Sequence, residues 1–452
     1  MYDIIIIGAG PGGYHTAIRG AQRGLKIALA EKNKVGGVCL NVGCIPTKAL
    51  YKTAEKLIQI KEESENFGIK AENIQFDFEK AQKRKEEVVN KMVSSVETLL
   101  KKHGIDLYFG EAEFLDKNTV KVNEKEIKAK NIIIATGSSP LMLPFFNIDH
   151  KTILDSTDLL NIKKVPESLI ILGGGVMGVE FANIFNAFGT KVTILELEKQ
   201  ILPGIDKLIA SQVAKTLKSR GIDIQLRKKT VKIENRNNKA YFESEDSSVY
   251  QAEKALISIG RKYNSDIKGL DKLKINKSDK GAILVNEHQQ TNIENIYAIG
   301  DVSGGMLLAH VASHEGEKAL AHILKEPKPE SVIPSAIFSI PEIATVGEID
   351  EKDRTIQKGM FSYQASGKAM ATGDENGLAL FYADKEDIIK KATIMGADAS
   401  NLIQIVTIAI NNKMKINDFI KNVFPHPTLS EIVLEGIEDI HKIAIHKYGK
   451  RK

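Results

Sequence analysis

From Asp3 to Glu31 the hydrophobic and polar positions fall into one sequence of elements. An apolar run, "DIIII", meets a glycine-rich turn, then a helical stretch, then a second apolar run that ends on an acid. The same order returns from Ser168 to Glu196, where "SLIIL" leads through "GGGVMG" to "KVTILE". An offset of 165 superposes Gly8 on Gly173, Gly10 on Gly175, Gly13 on Gly178, Ala17 on Ala182, Gly24 on Gly189 and Glu31 on Glu196. The pattern predicts two copies of a strand, G-x-G-x-x-G turn, helix and strand unit. No apolar run approaches the ~18 residues of a membrane span. A strand starting at residue 2 leaves no room for a signal peptide, so a cytoplasmic chain is expected.

The residue types carry chemistry as well as shape. In such a unit the first glycine permits the tight turn and the second lets backbone approach a pyrophosphate. The third lets helix and strand pack closely, and the helix N-terminus offers free N–H groups to the phosphates. An acid after the second strand is placed to accept hydrogen bonds from a ribose diol and would repel a 2′-phosphate. Two dinucleotides are therefore expected, the second, at Glu196, being NAD rather than NADP. Two further strands end in residues suited to a polyol: "NIIIATGSSP" at Thr136-Gly137 and "IYAIGD" at Asp301. Either one alone reads equally well as a capped turn.

Composition excludes several classes. At 452 residues, with 42% hydrophobic and 27% charged residues, the chain has the make-up of a folded protein of about three domains. Its 63 basic residues face 58 acidic ones, and stretches such as "EKAQKRKEEVVNKM" interleave the signs. That argues for solvated helix faces and against nucleic-acid binding. Only the tail "HKYGKRK" is locally basic.

The two cysteines of the chain, Cys39 and Cys44, lie together in "GGVCLNVGCIPTKAL". Apolar filler, half of a metal site and a redox pair are the competing readings. No further cysteine exists to complete a metal site, and an intracellular cysteine pair is more often catalytic than structural. Beside two dinucleotide sites, the redox reading is favoured. Five helical residues rise about 7.5 Å, beyond the ~7 Å Cα limit of a disulfide, so a distortion at Gly43 and Pro46 is expected, and with it a readily reduced bond. Near the C-terminus "FPHPTLSE" clamps His426 between two prolines with Glu431 five residues on. This suits either a base with an orienting carboxylate or a rigid turn with a capping Thr428 or Ser430.

The cysteine segment, both glycine fingerprints, "IYAIGD" and "HPTLSE" together resemble the flavoprotein disulfide reductases from residue 2 to about residue 440. The resemblance implies an α/β fold: two Rossmann-like dinucleotide-binding domains plus a C-terminal α+β dimerisation domain. It divides the chain into an FAD-binding part (1–143), an NAD-binding domain (144–265), a central domain completing the FAD site (266–332) and an interface domain (333–452). It assigns FAD to Gly8, Gly10, Gly13, Glu31, Lys48, Ala112, Thr136, Gly137, Ser138, Asp301, Leu307, Leu308, Ala309 and His310. NAD falls to Gly173, Gly175, Gly178, Glu180, Glu196, Val231 and Gly260, and no metal is implied.

The resemblance makes Cys44 the sulfur beside the flavin and Cys39 the interchange thiol. Lys48 and Glu180 resemble an ion pair between flavin and nicotinamide, and His426 with Glu431 a dyad acting on the other subunit's disulfide. The implied activity is oxidation of protein-bound dihydrolipoyl groups, with NAD as acceptor, by a homodimer. The implied partner is a lipoyl-bearing acyltransferase of 2-oxoacid dehydrogenase complexes or a glycine-cleavage carrier protein, with no nucleic acid and no membrane. Rivals are another NAD(P)H-dependent disulfide reductase or a non-catalytic scaffold. Against glutathione reductase stand "NVGCIPTKAL" and Glu196, and against mercuric reductase the lack of a C-terminal cysteine pair. Val38, Tyr263, Phe338, Lys368 and Asn401 depart from the family pattern, most of them in the interface half, and Phe424 before "PHPTLSE" is placed to narrow the substrate entrance.

Overall fold

The structure, a computed structural model, describes residues 1–143 and 146–447. The start of the expected NAD-binding segment at residue 144 and the basic tail from residue 448 lie outside the described residues. The chain divides into two compact units. One is built from Met1–Leu50, Asp77–Lys164 and Ile257–Glu330, the other from Tyr51–Phe76, Val165–Leu256 and the chain from Ser331 onward.

The first unit is organised by a parallel sheet in the order Asp106–Phe109, Ile27–Glu31, Tyr2–Ile7, Lys125–Ile134, Ile296–Ala298. The isoleucine run lies at its centre. Ile4 and Ile6 pack with Ala17, Leu29, Val96 and Leu320 on one face, while Ile5 and Ile7 pack with Phe114, Val120, Ile132 and Val302 on the other. A strand covered on both faces has no use for alternating polar residues, which is why four isoleucines stand in a row. The Pro11–Gln22 and Ala309–Leu324 helices cross through small residues. A Cβ at Gly316 would lie 1.8 Å from Thr16 Oγ1, and one at Gly12 would lie 3.2 Å from Ala312 Cβ.

The second unit repeats the arrangement: Lys191–Leu195 pairs in parallel with Asp223–Gln225 on one side and Ser168–Leu172 on the other, Lys254–Ile257 comes next in the order, and the Val176–Ala187 helix follows the first of them in sequence. A three-stranded antiparallel sheet follows, Thr230–Arg236, Lys239–Ser244 and Val249–Ala252. Beyond residue 331 a five-stranded antiparallel sheet runs Ser335–Ile337, Ile343–Gly347, Ile389–Met395, Leu378–Ala383, Gln357–Ser362. Helix Ala399–Asn411 covers it with Leu402, Ile403, Val406 and Ala409, spaced to keep one face inward, and helix Glu431–Glu438 adds Ile432, Val433 and Ile437. The expected α/β class, with two parallel dinucleotide-type sheets and a C-terminal α+β portion, is the one found. Among the described residues no helix is long and apolar enough to cross a membrane.

Candidate active site

The two glycine fingerprints match atom for atom. Gly8 and Gly173 both take φ of +104°, a backbone region that side chains rarely enter. A Cβ on Gly13 would meet Gly8 O at 1.8 Å, and one on Gly178 would meet Gly173 O at 1.9 Å. Gly10 and Gly175 are the N-caps of the following helices, with no side chain over the free N–H groups. The terminal acids are buried and doubly held. Glu31 accepts from Ala9 N at 2.8 Å and Asn33 N at 2.8 Å, while Glu196 accepts from Gly174 N at 2.6 Å and Glu198 N at 2.7 Å. Each partner is again 165 residues from its counterpart. A bare turn, an open helix N-terminus and a fixed carboxylate are what a dinucleotide's pyrophosphate and ribose require, so the residues fit the expected cofactors.

At the first sheet's edge, parallel pairing of Ile296–Ala298 with Lys125–Ile134 brings Asp301 beside Thr136, Gly137 and Ser138. Thr136 Oγ1 donates to Asn264 O at 2.7 Å, and Ser138 Oγ donates to Asp301. Arg261, which the sequence reading passed over, donates from Nε to Ser138 Oγ at 2.6 Å and from Nη2 to Ser138 O at 2.8 Å. Its Nε lies 3.7 Å from Asp301 Oδ2. Burial lowers the Arg261 pKa, and the charges of Asp301 and Cys44 oppose that shift. Glu315, also unanticipated, accepts from Gly300 N at 2.6 Å, and burial pushes its carboxyl up to about 7. Leu308 caps the helix that starts at Ala309, with Leu307 half-buried before it and His310 exposed on it. Ala112 is buried in a strand of the antiparallel extension. Gly260, at φ +136°, directly precedes Arg261.

The cysteine segment breaks where it was expected to, but with one residue fewer. Helix Gly37–Val42 stops at Gly43, whose φ of −143° and ψ of −113° are non-helical, and helix Cys44–Ile58 starts immediately after. Pro46 does not take part in the break. It lies in the first turn of the second helix, where a fixed φ and a missing N–H cost nothing. Cys39 is half-buried and Cys44 exposed, neither forms a disulfide here, and the two share a hydrogen bond. That bond, burial and the adjacent sulfur drive the Cys39 pKa far above an ordinary thiol's, against a smaller opposing pull from Lys48 one turn beyond Cys44. The Tyr14 hydroxyl is also shifted up, by burial first and then by the two sulfurs.

In the second unit, Glu180 is buried on the fingerprint helix, and its Oε1 accepts from Phe338 N at 3.0 Å. The Phe338 ring meets Tyr51 edge to face at 5.9 Å, so the departure from the family pattern at this position makes an aromatic contact. Val231 is exposed on strand Thr230–Arg236. His426 Nδ1 lies 3.0 Å from Glu431 Oε1, while Glu431 Oε2 accepts from Thr428 N at 2.9 Å. Burial works to raise the Glu431 pKa, but these two partners outweigh it and hold the carboxyl below its usual range. The His426 ring is 76% exposed. Thr428 Oγ1 donates to Pro425 O at 2.8 Å, so the turn accompanies the His-carboxylate pair, but the expected side-chain cap is not made: Ser430, at the N-cap of the Glu431–Glu438 helix, accepts no helix N–H.

A family model described as pyridine nucleotide-disulphide oxidoreductase matches residues 2–316, and its dimerisation domain matches residues 333–436. The chain belongs to the pyridine nucleotide-disulphide oxidoreductases. As an oxidoreductase of this family it uses FAD and NAD, in accord with the two fingerprints. It is 40% identical to the dihydrolipoyl dehydrogenase of Geobacillus stearothermophilus, covering 98% of this chain and 97% of that one. Identity to a dihydrolipoyl dehydrogenase of Bacillus subtilis is 39%, over 96% of each. Among solved structures, the HOCl-induced flavoprotein disulfide reductase RclA of Escherichia coli superposes with a TM-score of 0.87 at 30% identity, over 97% of this chain and 99% of that one. LpdA of Mycobacterium tuberculosis, 22% identical over 97% and 99%, shares the fold with a TM-score of 0.92. In this oxidoreductase the Cys39–Cys44 thiols occupy the one segment that combines a helix break with paired sulfurs.

Proposed function

We propose that the chain works as a homodimeric dihydrolipoyl dehydrogenase, oxidising dihydrolipoyl groups carried on a partner protein and passing the electrons to NAD. The observation that carries the reading is the hydrogen-bonded Cys39–Cys44 pair across the Gly43 break, in a chain 40% identical along nearly its whole length to a dihydrolipoyl dehydrogenase. The four-segment division and the cofactor assignments given above belong to the same proposal. So do a cytoplasmic location and a lipoyl-bearing acyltransferase or glycine-cleavage carrier protein as the source of substrate.

In the oxidised enzyme Cys39 and Cys44 form a disulfide. A substrate thiolate attacks Cys39, forms a mixed disulfide and displaces Cys44 as a thiolate. The second substrate thiol, its proton taken by the imidazole of His426, attacks the substrate sulfur of the mixed disulfide. Lipoyl disulfide leaves, and Cys39 departs as a thiolate that takes up a proton. Burial and the neighbouring sulfur favour the protonated form of Cys39, which suits this last step. FAD, when bound, supplies two-electron transfer from the dithiol to NAD. Arg261 and Ser138 fix the Asp301 carboxylate, Glu315 fixes the Gly300 backbone before it, and Glu431 orients His426 through Nδ1. Glu180, buried and hydrogen-bonded to Phe338 N, is the acid assigned to the nicotinamide side together with Lys48.

The test is NAD reduction by dihydrolipoamide for wild type, Cys39→Ser and Cys44→Ser. A rapid wild type with both variants losing more than about a thousandfold supports the reading. A slow wild type that instead reduces glutathione disulfide with NADPH would overturn it.

A further inference from the structure

One face of the Pro11–Gln22 helix carries a stripe that the redox chemistry does not use. His15, Arg19 and Arg23 follow one another at four-residue intervals, so they stack along one side of the helix end. Opposite them the Ala309–Leu324 helix presents His314 and Glu317, and Glu326 follows just beyond it. These six residues line one cavity of about 530 Å³, wholly within the first unit. No residue of the fingerprint turn or the cysteine pair lines it.

Three features of this cavity point to a ligand. Glu317 binds both arginines, Arg19 Nε at 3.2 Å and Arg23 Nη2 at 2.7 Å, which sets the two guanidinium groups side by side. Arg19 Nη1 goes to Gln22 at 3.2 Å and Arg23 Nε to Glu326 at 3.5 Å. Among the described residues Arg19 Nη2 and Arg23 Nη1 then have no acceptor. His15 Nδ1 and His314 Nε2 are buried without a hydrogen-bond partner in the protein. Orphaned buried nitrogens are uncommon, and two in one cavity call for a partner.

The charge pattern selects the kind of ligand. A guanidinium can only donate, and two of them on one wall repel a metal cation, which would otherwise suit two imidazoles. Lys318 near His314 adds to the positive side, while Glu317 and Glu326 are spent on the arginines. An acceptor with several oxygens would satisfy the two open guanidinium donors and each of the two imidazole nitrogens in the tautomer that carries its proton there. We propose that this cavity binds a small oxyanion, a phosphate or phosphate monoester, through Arg19, Arg23, His15 and His314, with Glu317 as the strut that holds both guanidinium groups.

Isothermal titration of the flavin-bound protein with inorganic phosphate and, separately, ethyl phosphate tests this, at constant ionic strength and with chloride as the control. The expected result is saturable binding of one anion per chain, weakened more than tenfold in His314→Leu and in Arg23→Gln, each variant melting close to the wild type. The monoester binding more tightly than inorganic phosphate would identify an esterified ligand, and the reverse order the free anion. Should Arg23→Gln fail to fold, His15→Leu takes its place. Absence of saturable binding above chloride, which is the behaviour of a water-filled cavity, overturns the proposal. So does unchanged affinity in the folded variants.

Discussion

His426 and Glu431 meet through Nδ1 and Oε1 at 3.0 Å, five residues apart on the turn that starts the Glu431–Glu438 helix. The carboxylate thus engages Nδ1 and leaves Nε2 as the nitrogen open for the proposed proton transfer. Replacing His426 with Gln should lower dihydrolipoamide oxidation by about a hundredfold to ten-thousandfold, the range of a lost general base. Reduction of the bound flavin by NADH should stay within a factor of two. Glu431→Gln should lose less, and its rate should rise with pH differently from the wild type's, as followed by kcat across pH 5.5–9. Equal loss of both half-reactions in His426→Gln would remove the histidine from the thiol chemistry.

The duplicated turns give a paired prediction. In Gly13→Ala the new methyl would lie 1.8 Å from Gly8 O and force the first turn open, so the protein should purify with little flavin. In Gly178→Ala the same collision, at 1.9 Å from Gly173 O, should leave the yellow colour intact and raise KM for NAD at least tenfold. Flavin absorbance and steady-state kinetics separate the two, and a fully flavinated Gly13→Ala variant contradicts the assignment.

Glu196→Ala removes the only acceptor described for Gly174 N and Glu198 N at that turn. The buried Gly174 N–H left unpaired costs about 1–3 kcal/mol. A lower melting temperature and a raised KM for NAD are both expected. Unchanged values in calorimetry and kinetics would mean that the acid is dispensable to its turn.

Glu315 supplies a pH dependence. Its folded pKa, about 7, lies above the 4.5 of an exposed glutamate because burial disfavours the charge. Its stability contribution is therefore complete below about pH 4.5 and is lost as pH rises through about 7. Glu315→Gln keeps an acceptor for Gly300 N but cannot ionise. Relative to wild type it should gain stability between pH 5 and pH 8, by on the order of 3 kcal/mol at most. Urea melts at the two pH values measure this, and a difference that stays flat across the window would refute it.

What the sequence disclosed and what it hid divide along contact range. The fingerprints were legible because a turn of fixed geometry admits few residue types, and every contact that shapes it is local. The Gly43 break was legible for the same reason, but Pro46 was misread because a proline's effect depends on its place in a helix, which the pattern did not fix. Arg261 and Glu315 stayed hidden. Arg261 acts on Ser138, 123 residues away, and Glu315 on Gly300 through a helix and a strand end brought together by the sheet. Likewise nothing near Glu180 announces that Phe338, 158 residues later, will donate to it. The orphaned imidazoles of His15 and His314 could be read only once the two helices had been packed together.

Among the described residues the two acids that close the glycine turns bond only to backbone of their own copy: Glu31 to Ala9 and Asn33, Glu196 to Gly174 and Glu198. A turn stapled in this way needs no neighbour to hold its shape. It can be carried as a cassette, and a segment of about thirty residues moved into another parallel sheet should bring its nucleotide geometry with it. The same independence lets one copy drift toward a different dinucleotide while the other stays unchanged, so a single ancestral unit suffices to explain a protein that handles two.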